Sequence, residues 1–455
     1  MKPILIIDFG STYTKLTAVD LDEEIILGTA QAYTTVETDV AHGLEEGLKA
    51  LRETTGHLDF FETYACSSAA GGLKMMASGL VPELTAEAAK AASLGAGAKV
   101  LKSFSYELTD EDLHFIKEEA PDIFLLAGGT DGGNRENIIA NARHLATLEA
   151  KFPIIIAGNR NAAKECEEIL SSFDTYLCPN IMPKLGVVDS TKVRETIREI
   201  FLSHIVKAKG MTEAQDLISD IIMPTPSAVL NAMELLAKDI GELMGVDVGG
   251  ATTDVYSIAK GSPKLNSTVL KGLPEPYAKR TVEGDIGMRY SIHGIVDAVG
   301  IETISDMAGL SSERAEELID YLGSITETLP EGNPELENLD MALATMAIKT
   351  AVERHAGTIE ETYTPMGQAF VQTGKDLTDV NNLVVTGGSV IHMKDLALSV
   401  DRVFNQNRNP ASLIPRNPKI WVDKKYILAA MGLLATKYPD VALKIMKEEV
   451  SYYGA

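Results

Sequence analysis

The sequence predicts an α/β protein whose two halves are related to each other, and three observations predict it. Short apolar runs rich in Ile and Val each end in a glycine-rich turn, which is typical of buried strands. Amphipathic helical patterns lie between these runs, and strands that alternate with helices indicate α/β architecture. Two of the turns share an Asp-x-Gly pattern, and each is followed about 120 to 140 residues later by a strand ending in Gly-Gly, which indicates a diverged duplication.

The predicted strands lie in the same order in the two halves. Polar strand-like continuations, Tyr13–Asp20 and Thr252–Ile258, follow the two Asp-x-Gly turns. The apolar runs and their turns are 3–9 before Gly10-Ser11-Thr12, 122–127 before Gly128-Gly129-Thr130, 243–248 before Gly249-Gly250, and 382–386 before Gly387-Gly388-Ser389, with further strand candidates at 152–157 and 174–178.

The length of 455 residues predicts two or three domains rather than one core. We expect a first half over residues 1–240 that includes an α/β insertion at about 130–210. The second half is expected over 241–455, with a subdomain at about 259–340 that contains Gly/Pro turns and an acidic helical region.

The composition limits the function classes. The formal net charge of −24 would repel nucleic acids and anionic membranes. The cysteines, Cys66, Cys166 and Cys178, form no CxxC or His/Cys cluster, which favours a reducing compartment and disfavours zinc or iron–sulfur sites. No apolar run approaches the roughly 20 residues that span a bilayer, and the N-terminus lacks a signal-peptide pattern. We expect a cytoplasmic protein.

The first Asp-x-Gly turn carries residues suited to phosphate and metal. Gly10 lets backbone N–H groups approach a phosphate, and Ser11 and Thr12 add hydroxyl donors to an anion-binding concavity. Asp8 repels bare phosphate, so its expected role is to hold water around a Mg²⁺ that bridges phosphates. Lys15 either supplies positive charge or lies on the outside of the hairpin.

The second Asp-x-Gly turn repeats the device with Asp247, Gly249, Gly250, Thr252 and Thr253. Two such hairpins would clamp the β- and γ-phosphates of a nucleotide, and two strand-end aspartates suit one metal ion. Either turn alone is a weak signal, because a strand followed by glycine is often only a tight turn. The pair predicts a binding site for ATP with Mg²⁺, in which Asp8 and Asp247 are the catalytic and metal-binding residues.

The third turn, Gly387-Gly388-Ser389, carries no charged group. It either lets an adenine and ribose approach the backbone or is simply a packed strand-to-helix turn.

The three turns resemble the phosphate 1, phosphate 2 and adenosine motifs of the acetate and sugar kinase, Hsp70 and actin superfamily. Residues 224–237 and 427–435 resemble its two connecting helices, so that all five motifs occur in the expected order. The resemblance implies two duplicated ribonuclease-H-like (actin/Hsp70 ATPase) domains around a nucleotide cleft, with α/β and helical insertions. Hsp70 proteins carry a glutamate where this chain has Met223, which implies slow or differently supported hydrolysis.

Within that superfamily the chain resembles the accessory, MutL-like family of glutamate (methylaspartate) mutase, which is unrelated to the mismatch-repair protein. The resemblance rests on the full length and on 8–15, 127–135, 180–186, 244–254 and 280–289. It implies an ATP-dependent, chaperone-like reactivating factor that releases damaged cobalamin from an adenosylcobalamin-dependent mutase or aminomutase.

Two further segments are open to more than one interpretation. Glu283 and Asp285 either reach the nucleotide or anchor a turn, while Arg280 and Arg289 pair with them or with phosphate. The segment 130–134 either binds a ligand or begins a helix, and the helix start is favoured. The eight histidines are scattered without metal spacing.

Alternative functions remain at this stage. The same superfamily contains small-molecule kinases, but no carboxylate stands out as the base toward a substrate hydroxyl. Activators of radical dehydratases need cysteines that hold a cluster, and the cysteines here are not arranged for it. An ATP-binding scaffold with little turnover is the third alternative, which Met223 supports.

Overall fold

The computed structural model describes residues 1–10, 13–33, 40–68, 73–201, 222–265, 267–325, 330, 332–365, 367–406 and 409–453. The chain forms two compact units. Unit 1 comprises Met1–Ala228 with Gly272–Pro274, and unit 2 comprises Val229–Lys271 with Glu275–Ala455. The boundary between the units falls after Ala228, inside the helix Thr225–Ile240, whereas the sequence predicted it at about residue 240. It falls earlier because the first residues of that helix belong to unit 1.

The first sheet of unit 1 is built around its N-terminal strand, β1 (Pro3–Phe9). β1 pairs antiparallel with β2 (Tyr13–Asp20) and parallel with β4 (Glu62–Ser67). Strands β3 (Ile25–Tyr33) and β10 (Ile222–Pro224) complete the order β10-β4-β1-β2-β3. Helix α1 (Val40–Thr55) packs against β2 and β3.

Unit 1 also contains a wholly parallel five-stranded sheet, in the order β6-β5-β7-β8-β9. Its strands are β5 (Lys74–Gly79), β6 (Lys99–Ser105), β7 (Ile123–Leu126), β8 (Ile154–Ile156) and β9 (Thr175–Leu177). The helices of this region are a π-helical turn (Pro82–Ala86), α2 (Glu87–Gly95), α3 (Asp110–Glu119), α4 (Glu136–Ala146), α5 (Arg160–Ile169) and α6 (Thr191–Ile200).

The parallel sheet has a core on each face. Alternate residues such as Met75 and Ile123 share a cluster with the first sheet, whereas Met76 and Phe124 face a second cluster under α4. The α/β insertion expected from about 130 therefore corresponds to a layer that begins at Lys74. It begins earlier because β7 pairs with β5 and β8 rather than with β1.

Unit 2 is organised around a six-stranded sheet in the order β14-β12-β11-β17-β18-β19. Its strands are β11 (Leu243–Val248), β12 (Thr253–Ile258), β14 (Ala278–Glu283), β17 (Asn382–Thr386), β18 (Lys419–Val422) and β19 (Ser451–Tyr452). The helices are α7 (Thr225–Ile240), which crosses the unit boundary, α8 (Ile292–Val299), α9 (Ile301–Ala308), α10 (Ser312–Ser324), α11 (Pro334–His355), α12 (Gly388–Ile391), α13 (Leu396–Phe404), α14 (Leu428–Leu434) and α15 (Pro439–Glu449).

A second, three-stranded sheet in unit 2 consists of β13 (Thr268–Lys271), β15 (Thr358–Thr364) and β16 (Gly367–Thr373). The segment 259–340, expected to form a subdomain of its own, contributes instead to the main sheet and core of unit 2. Strand β14 belongs to the main sheet, and α8 to α11 share its hydrophobic core. The apolar faces of α8, α9 and α10 pack on α11, and α11 packs on β11 and β12.

The two main sheets have the same order. In each, three consecutive antiparallel strands are followed by two parallel ones: β3-β2-β1-β4-β10 in unit 1 and β14-β12-β11-β17-β18 in unit 2. This is the ribonuclease-H-like order, and it confirms the predicted fold class. The matching of Gly128-Gly129-Thr130 with Gly387-Gly388-Ser389 is wrong, because the counterpart of β17 is β4.

No helix in the described part of the chain is both long enough and apolar enough to cross a bilayer.

Candidate functional site

The first glycine turn closes tightly after β1. The Gly10 N–H donates to the Asp8 and Tyr13 carbonyl oxygens, at 3.1 Å in each case. A Cβ at Gly10 would lie 2.5 Å from the Tyr13 carbonyl oxygen, so the turn has no room for any other residue. Ser11 and Thr12, two of the predicted phosphate ligands, lie outside the described residues.

Asp8 lies at the carboxyl end of β1, on the face opposite the core that Leu5 and Ile7 line. Its side chain is 7% exposed. The Thr225 hydroxyl donates to Asp8 Oδ1 at 2.6 Å, and the Cys66 thiol donates to the same oxygen at 3.4 Å. Burial, followed by the charge of Asp8, raises the pKa of the Cys66 thiol well above its ordinary value, which keeps its proton available for donation.

Lys15 and Met223 lie at register positions on the same face as Asp8. Lys15 is directly opposite Asp8 in the antiparallel β1–β2 pair, and residues directly opposite each other share a face. This favours the inward, charge-supplying interpretation of Lys15. Met223 is buried beside Cys66 in the β4–β10 pair, so an apolar side chain stands where Hsp70 proteins carry a carboxylate.

The second glycine turn repeats the backbone geometry of the first. The Gly249 N–H donates to the Thr252 carbonyl oxygen at 2.9 Å, as Gly10 does to Tyr13. Asp247 occupies the strand position that corresponds to Asp8, and it is half-buried. A Cβ at Gly250 would meet only ordinary contacts, 3.8 Å or more from Tyr290 and Arg289. Gly250 is therefore not required by packing within unit 2.

The backbone of segment 286–290 donates hydrogen bonds to the second turn. The Met288 N–H donates to the Gly249 carbonyl oxygen at 3.0 Å, and the Arg289 and Tyr290 N–H groups donate to Gly250 at 2.8 and 2.9 Å. A Cβ at Gly287 would lie 2.4 Å from the backbone of Ala251, so only glycine fits there. Thr253 is fully buried, and its hydroxyl donates to the Ile286 carbonyl oxygen at 3.1 Å, which favours a structural role for this predicted ligand.

Asp254, which the sequence did not single out, forms a buried ion pair with Arg280. Arg280 Nε and Nη2 lie 2.7 and 2.6 Å from Asp254 Oδ1. Asp254 is directly opposite Asp247 in the β11–β12 pair, so the two carboxylates lie on the same face of the sheet. The Arg280 guanidinium neutralises the charge of Asp254 on that face. Burial opposes the charge of Arg280, but Asp254 outweighs it and raises the pKa of Arg280.

Arg289 makes a second buried ion pair, with Asp340 at 2.8 Å. Ser389, a predicted nucleotide ligand, hydrogen-bonds the same carboxylate. Burial raises the pKa of Asp340 in spite of the opposing effects of Arg289 and Ser389. Ser389 is thus engaged inside unit 2.

The acidic residues of the 280–289 segment have a different partner from the one expected. Arg354 Nη1 lies 2.8 Å from Glu283 and 2.9 Å from Asp285. Arg280 and Arg289 pair with Asp254 and Asp340 rather than with Glu283 and Asp285. The arrangement favours turn anchoring for Glu283 and Asp285. No local sequence signal identified Arg354, which is 71 residues from Glu283 and 69 residues from Asp285 in the chain.

The third turn lies beside the second, at the carboxyl ends of the neighbouring parallel strands β11 and β17. Gly387 has φ +104°, and a Cβ there would lie 2.2 Å from the Val248 carbonyl oxygen. Gly388 begins α12. Asp423 accepts hydrogen bonds from the Ile427 and Leu428 N–H groups at 2.9 and 3.1 Å, so it orients the predicted second connector.

The glycine-rich segment at 128–134 is closed by its own hydrogen bonds. Asn180 donates to the Gly129 carbonyl oxygen and to Asp131 Oδ1, at 3.0 and 2.9 Å. Asn134 Oδ1 accepts from the Asn137 N–H at 3.1 Å, in the first turn of α4. This supports the helix-start interpretation, and the Asn180 hydrogen bonds link segment 180–186 to segment 127–135.

The donor set fits a metal ion that keeps most of its water. The described residues contain no group of three or more His, Cys, Asp or Glu side chains that could hold a metal by themselves. Mg²⁺ is usually bound through one or two carboxylates together with substrate phosphates and water. Asp8 and Asp247 are each a single carboxylate near the carboxyl end of the central strand of their own unit, and a carboxylate of that kind suits a hydrated metal ion. When bound, the metal would neutralise phosphate charge.

Two ribonuclease-H-like sheets in one chain, each with an Asp-x-Gly turn after its central strand, define a protein of the acetate and sugar kinase, Hsp70 and actin class. Residues 4–450 match the family model described as MutL protein. The chain therefore belongs to the MutL protein family. It is 46% identical over 458 residues to Protein MutL of Clostridium tetanomorphum, with 98% of this chain and 99% of that protein covered.

Solved structures resemble the chain more distantly. Nucleotide-free acetone carboxylase is 14% identical with a TM-score of 0.46, over 95% of this chain and 70% of that one. The activator of 2-hydroxyisocaproyl-CoA dehydratase from Clostridium difficile with bound ADPNP is 11% identical with a TM-score of 0.33, over the full length of both chains. At these TM-scores neither likeness supports an inference about function.

Proposed function

We propose that this protein binds ATP with Mg²⁺ and uses slow hydrolysis to reactivate an adenosylcobalamin-dependent mutase of the glutamate mutase type. The repeated turn carries the nucleotide part of the proposal. Gly10 N–H to Tyr13 O, at 3.1 Å, and Gly249 N–H to Thr252 O, at 2.9 Å, are the same backbone device, two residues after a strand-end aspartate. A ligand with closely spaced phosphates and a divalent cation suits both turns.

Each group has a defined task in this proposal. The backbone N–H groups around Gly10 and Gly250 bind phosphate oxygens, and Lys15 adds positive charge. Asp8 and Asp247 would hold a hydrated Mg²⁺, which would neutralise phosphate charge. The turn at Gly387-Gly388 is assigned to the adenine and ribose of the nucleotide.

Hydrolysis is expected to be slow because no carboxylate projects from the start of the first connector. Met223 is buried there beside Cys66, and an apolar side chain cannot orient an attacking water. A long-lived ATP-bound state suits a factor that holds a partner protein in an altered conformation. Domain motion linked to the nucleotide state can produce such a change in a partner. The identity of the partner, a glutamate mutase or a related aminomutase, rests on membership of the MutL family.

The test is recovery of a glutamate mutase inactivated by hydroxocobalamin, measured after adding this protein, Mg²⁺–ATP and adenosylcobalamin. We expect ATP-dependent recovery with the wild type and none with Asp8→Ala, because the variant lacks the carboxylate assigned to the metal. Asp59→Ala is the matched control, since its carboxylate is 99% exposed and outside the turn. It should behave as the wild type.

The alternative functions predict different results. Recovery that persists in Asp8→Ala would contradict the assignment of Asp8. ATP binding without any recovery would favour a scaffold, and ATP consumption that depends on an added small alcohol would favour a kinase.

A further inference from the structure

Three neighbouring parallel strands bring three side chains together at one edge of the first sheet of unit 1. Asp8 is the penultimate residue of β1, Cys66 lies in the register position beside it on β4, and Thr225 follows β10 at the start of α7. Thr225 is 217 residues from Asp8 in sequence, yet its hydroxyl oxygen lies 2.6 Å from Asp8 Oδ1. The contact is a product of the sheet order rather than of local sequence.

Both donors reach the same oxygen of the carboxylate. Thr225 Oγ1 and Cys66 Sγ, at 2.6 and 3.4 Å, donate to Oδ1. Among the described residues, none donates to Oδ2. A hydroxyl and a thiol each have one proton, and here both protons are directed at Asp8. Two donors, one from β4 and one from the start of α7, fix the rotation of the carboxylate about its Cβ–Cγ bond and so fix the direction in which Oδ2 points.

We propose that Thr225 and Cys66 are positioning residues that orient the Asp8 carboxylate so that Oδ2 meets the hydrated metal. This rests on the proposed function, in which Asp8 serves Mg²⁺. An unrestrained aspartate would lose rotational freedom when the metal binds, and the two hydrogen bonds remove most of that cost in advance.

The structure also explains why these donors are neutral. Asp8 is nearly buried, and a lysine or arginine in place of Thr225 would form an ion pair that competes with the metal for the carboxylate. A hydroxyl and a protonated thiol orient the carboxylate without cancelling its charge.

The test measures metal binding directly, with Mn²⁺ as the spectroscopic probe in place of Mg²⁺. Electron paramagnetic resonance titration of full-length protein with Mn²⁺ and a non-hydrolysable ATP analogue gives the dissociation constant without turnover. We expect Thr225→Val, which keeps the shape and removes the hydroxyl, to weaken Mn²⁺ binding about tenfold, the effect of one hydrogen bond to a charged group. Thr225→Ser should recover it to within about twofold.

Two further variants keep the inference testable. Cys66→Ala should weaken Mn²⁺ binding by a smaller factor, about threefold, because the thiol is a weak donor at a longer distance. Ser227→Ala is the matched control, since Ser227 lies on the same helix, is fully buried, and its hydroxyl has no hydrogen-bond partner among the described residues. It should leave Mn²⁺ binding unchanged. Circular dichroism confirms that each variant is folded.

The outcomes separate this inference from the proposed function. If the wild type binds neither Mn²⁺ nor the nucleotide, the proposed function fails. If the wild type binds and Thr225→Val binds equally well, the positioning role is overturned while the proposed function stands. Equal losses in Thr225→Val and Thr225→Ser would also overturn it, because the hydroxyl would then not be the cause.

Discussion

At the scale of single residues, the most unusual group is Lys375, which is fully buried in unit 2. Its ammonium donates to the Tyr277 and Pro276 carbonyl oxygens at 2.8 and 2.9 Å, and to the Ser257 hydroxyl and carbonyl oxygens at 3.2 and 3.3 Å. Burial, followed by the positive charge of Lys279, lowers the pKa of Lys375 to about 7. Glu275 and Glu242 act in the opposite direction but do not offset the burial.

This shift predicts a specific pH dependence of stability. In the unfolded chain Lys375 titrates near its ordinary pKa of 10.5, so between pH 7 and 10.5 the unfolded state binds more protons than the folded state. The free energy of unfolding should therefore rise with pH across that window because of Lys375. Urea unfolding at pH 7, 8 and 9 should show a smaller rise in Lys375→Met than in the wild type.

The control for this experiment is Lys271→Met, which removes an exposed lysine from unit 2. Its pH dependence should match that of the wild type. Equal slopes in the wild type and Lys375→Met would show that Lys375 stays charged in the folded protein.

At the scale of elements, the glycine turns divide into two physical kinds. Gly387 is required by the fold, because it combines φ +104° with a main-chain neighbour 2.2 Å from any Cβ. Gly250 is not, since a Cβ there would lie in ordinary contact. A glycine that the packing of the fold does not require, in a turn proposed to bind phosphate, is consistent with a requirement for close ligand approach.

We therefore expect opposite effects from substitutions at the two positions. Gly387→Ala should destabilise the protein by about 1–3 kcal/mol through backbone strain. Gly250→Val should leave thermal stability within a few degrees of the wild type but weaken ATP binding at least about tenfold, by placing a branched side chain over the phosphates. Differential scanning fluorimetry and nucleotide titration measure the two effects.

Gly323→Ala is a suitable reference for these variants, because it adds a methyl group on α10 with only van der Waals neighbours. It should change neither property strongly. Normal ATP affinity in Gly250→Val would remove the second turn from the proposed site.

At the scale of the whole molecule, the described hydrophobic clusters each belong to one unit. The clusters around β1 and β7 lie in unit 1, and the cluster around β11 and α11 lies in unit 2. Units with separate cores can unfold separately. We expect differential scanning calorimetry to show two transitions in the absence of ligand.

Nucleotide should act on both transitions if ATP contacts a turn in each unit. A ligand that binds only the folded state raises its stability by mass action. Mg²⁺–ATP should therefore move both transitions to higher temperature in the wild type and neither in Asp8→Ala. A shift confined to one transition would contradict the assignment of phosphate contacts to both Asp-x-Gly turns.

The sequence determined the fold class, the family and the two Asp-x-Gly turns. Strand length, apolar continuity and the need for glycine at a tight turn are local properties, which can be predicted from a few adjacent residues. Gly10 and Gly249 are examples, since the hydrogen bonds that explain them end three residues further along the chain.

Only the tertiary structure decided which strands pair and which charges meet. The sequence matched the turn after β7 with the turn after β17, because both follow apolar strands, but β7 belongs to another sheet. The sequence did not decide the ionic partners of Arg280 and Arg289, and the structure pairs them with Asp254 and Asp340. It could not foresee Thr225 on Asp8, 217 residues away. Such contacts follow from burial and sheet order, which depend on the whole chain rather than on any local pattern.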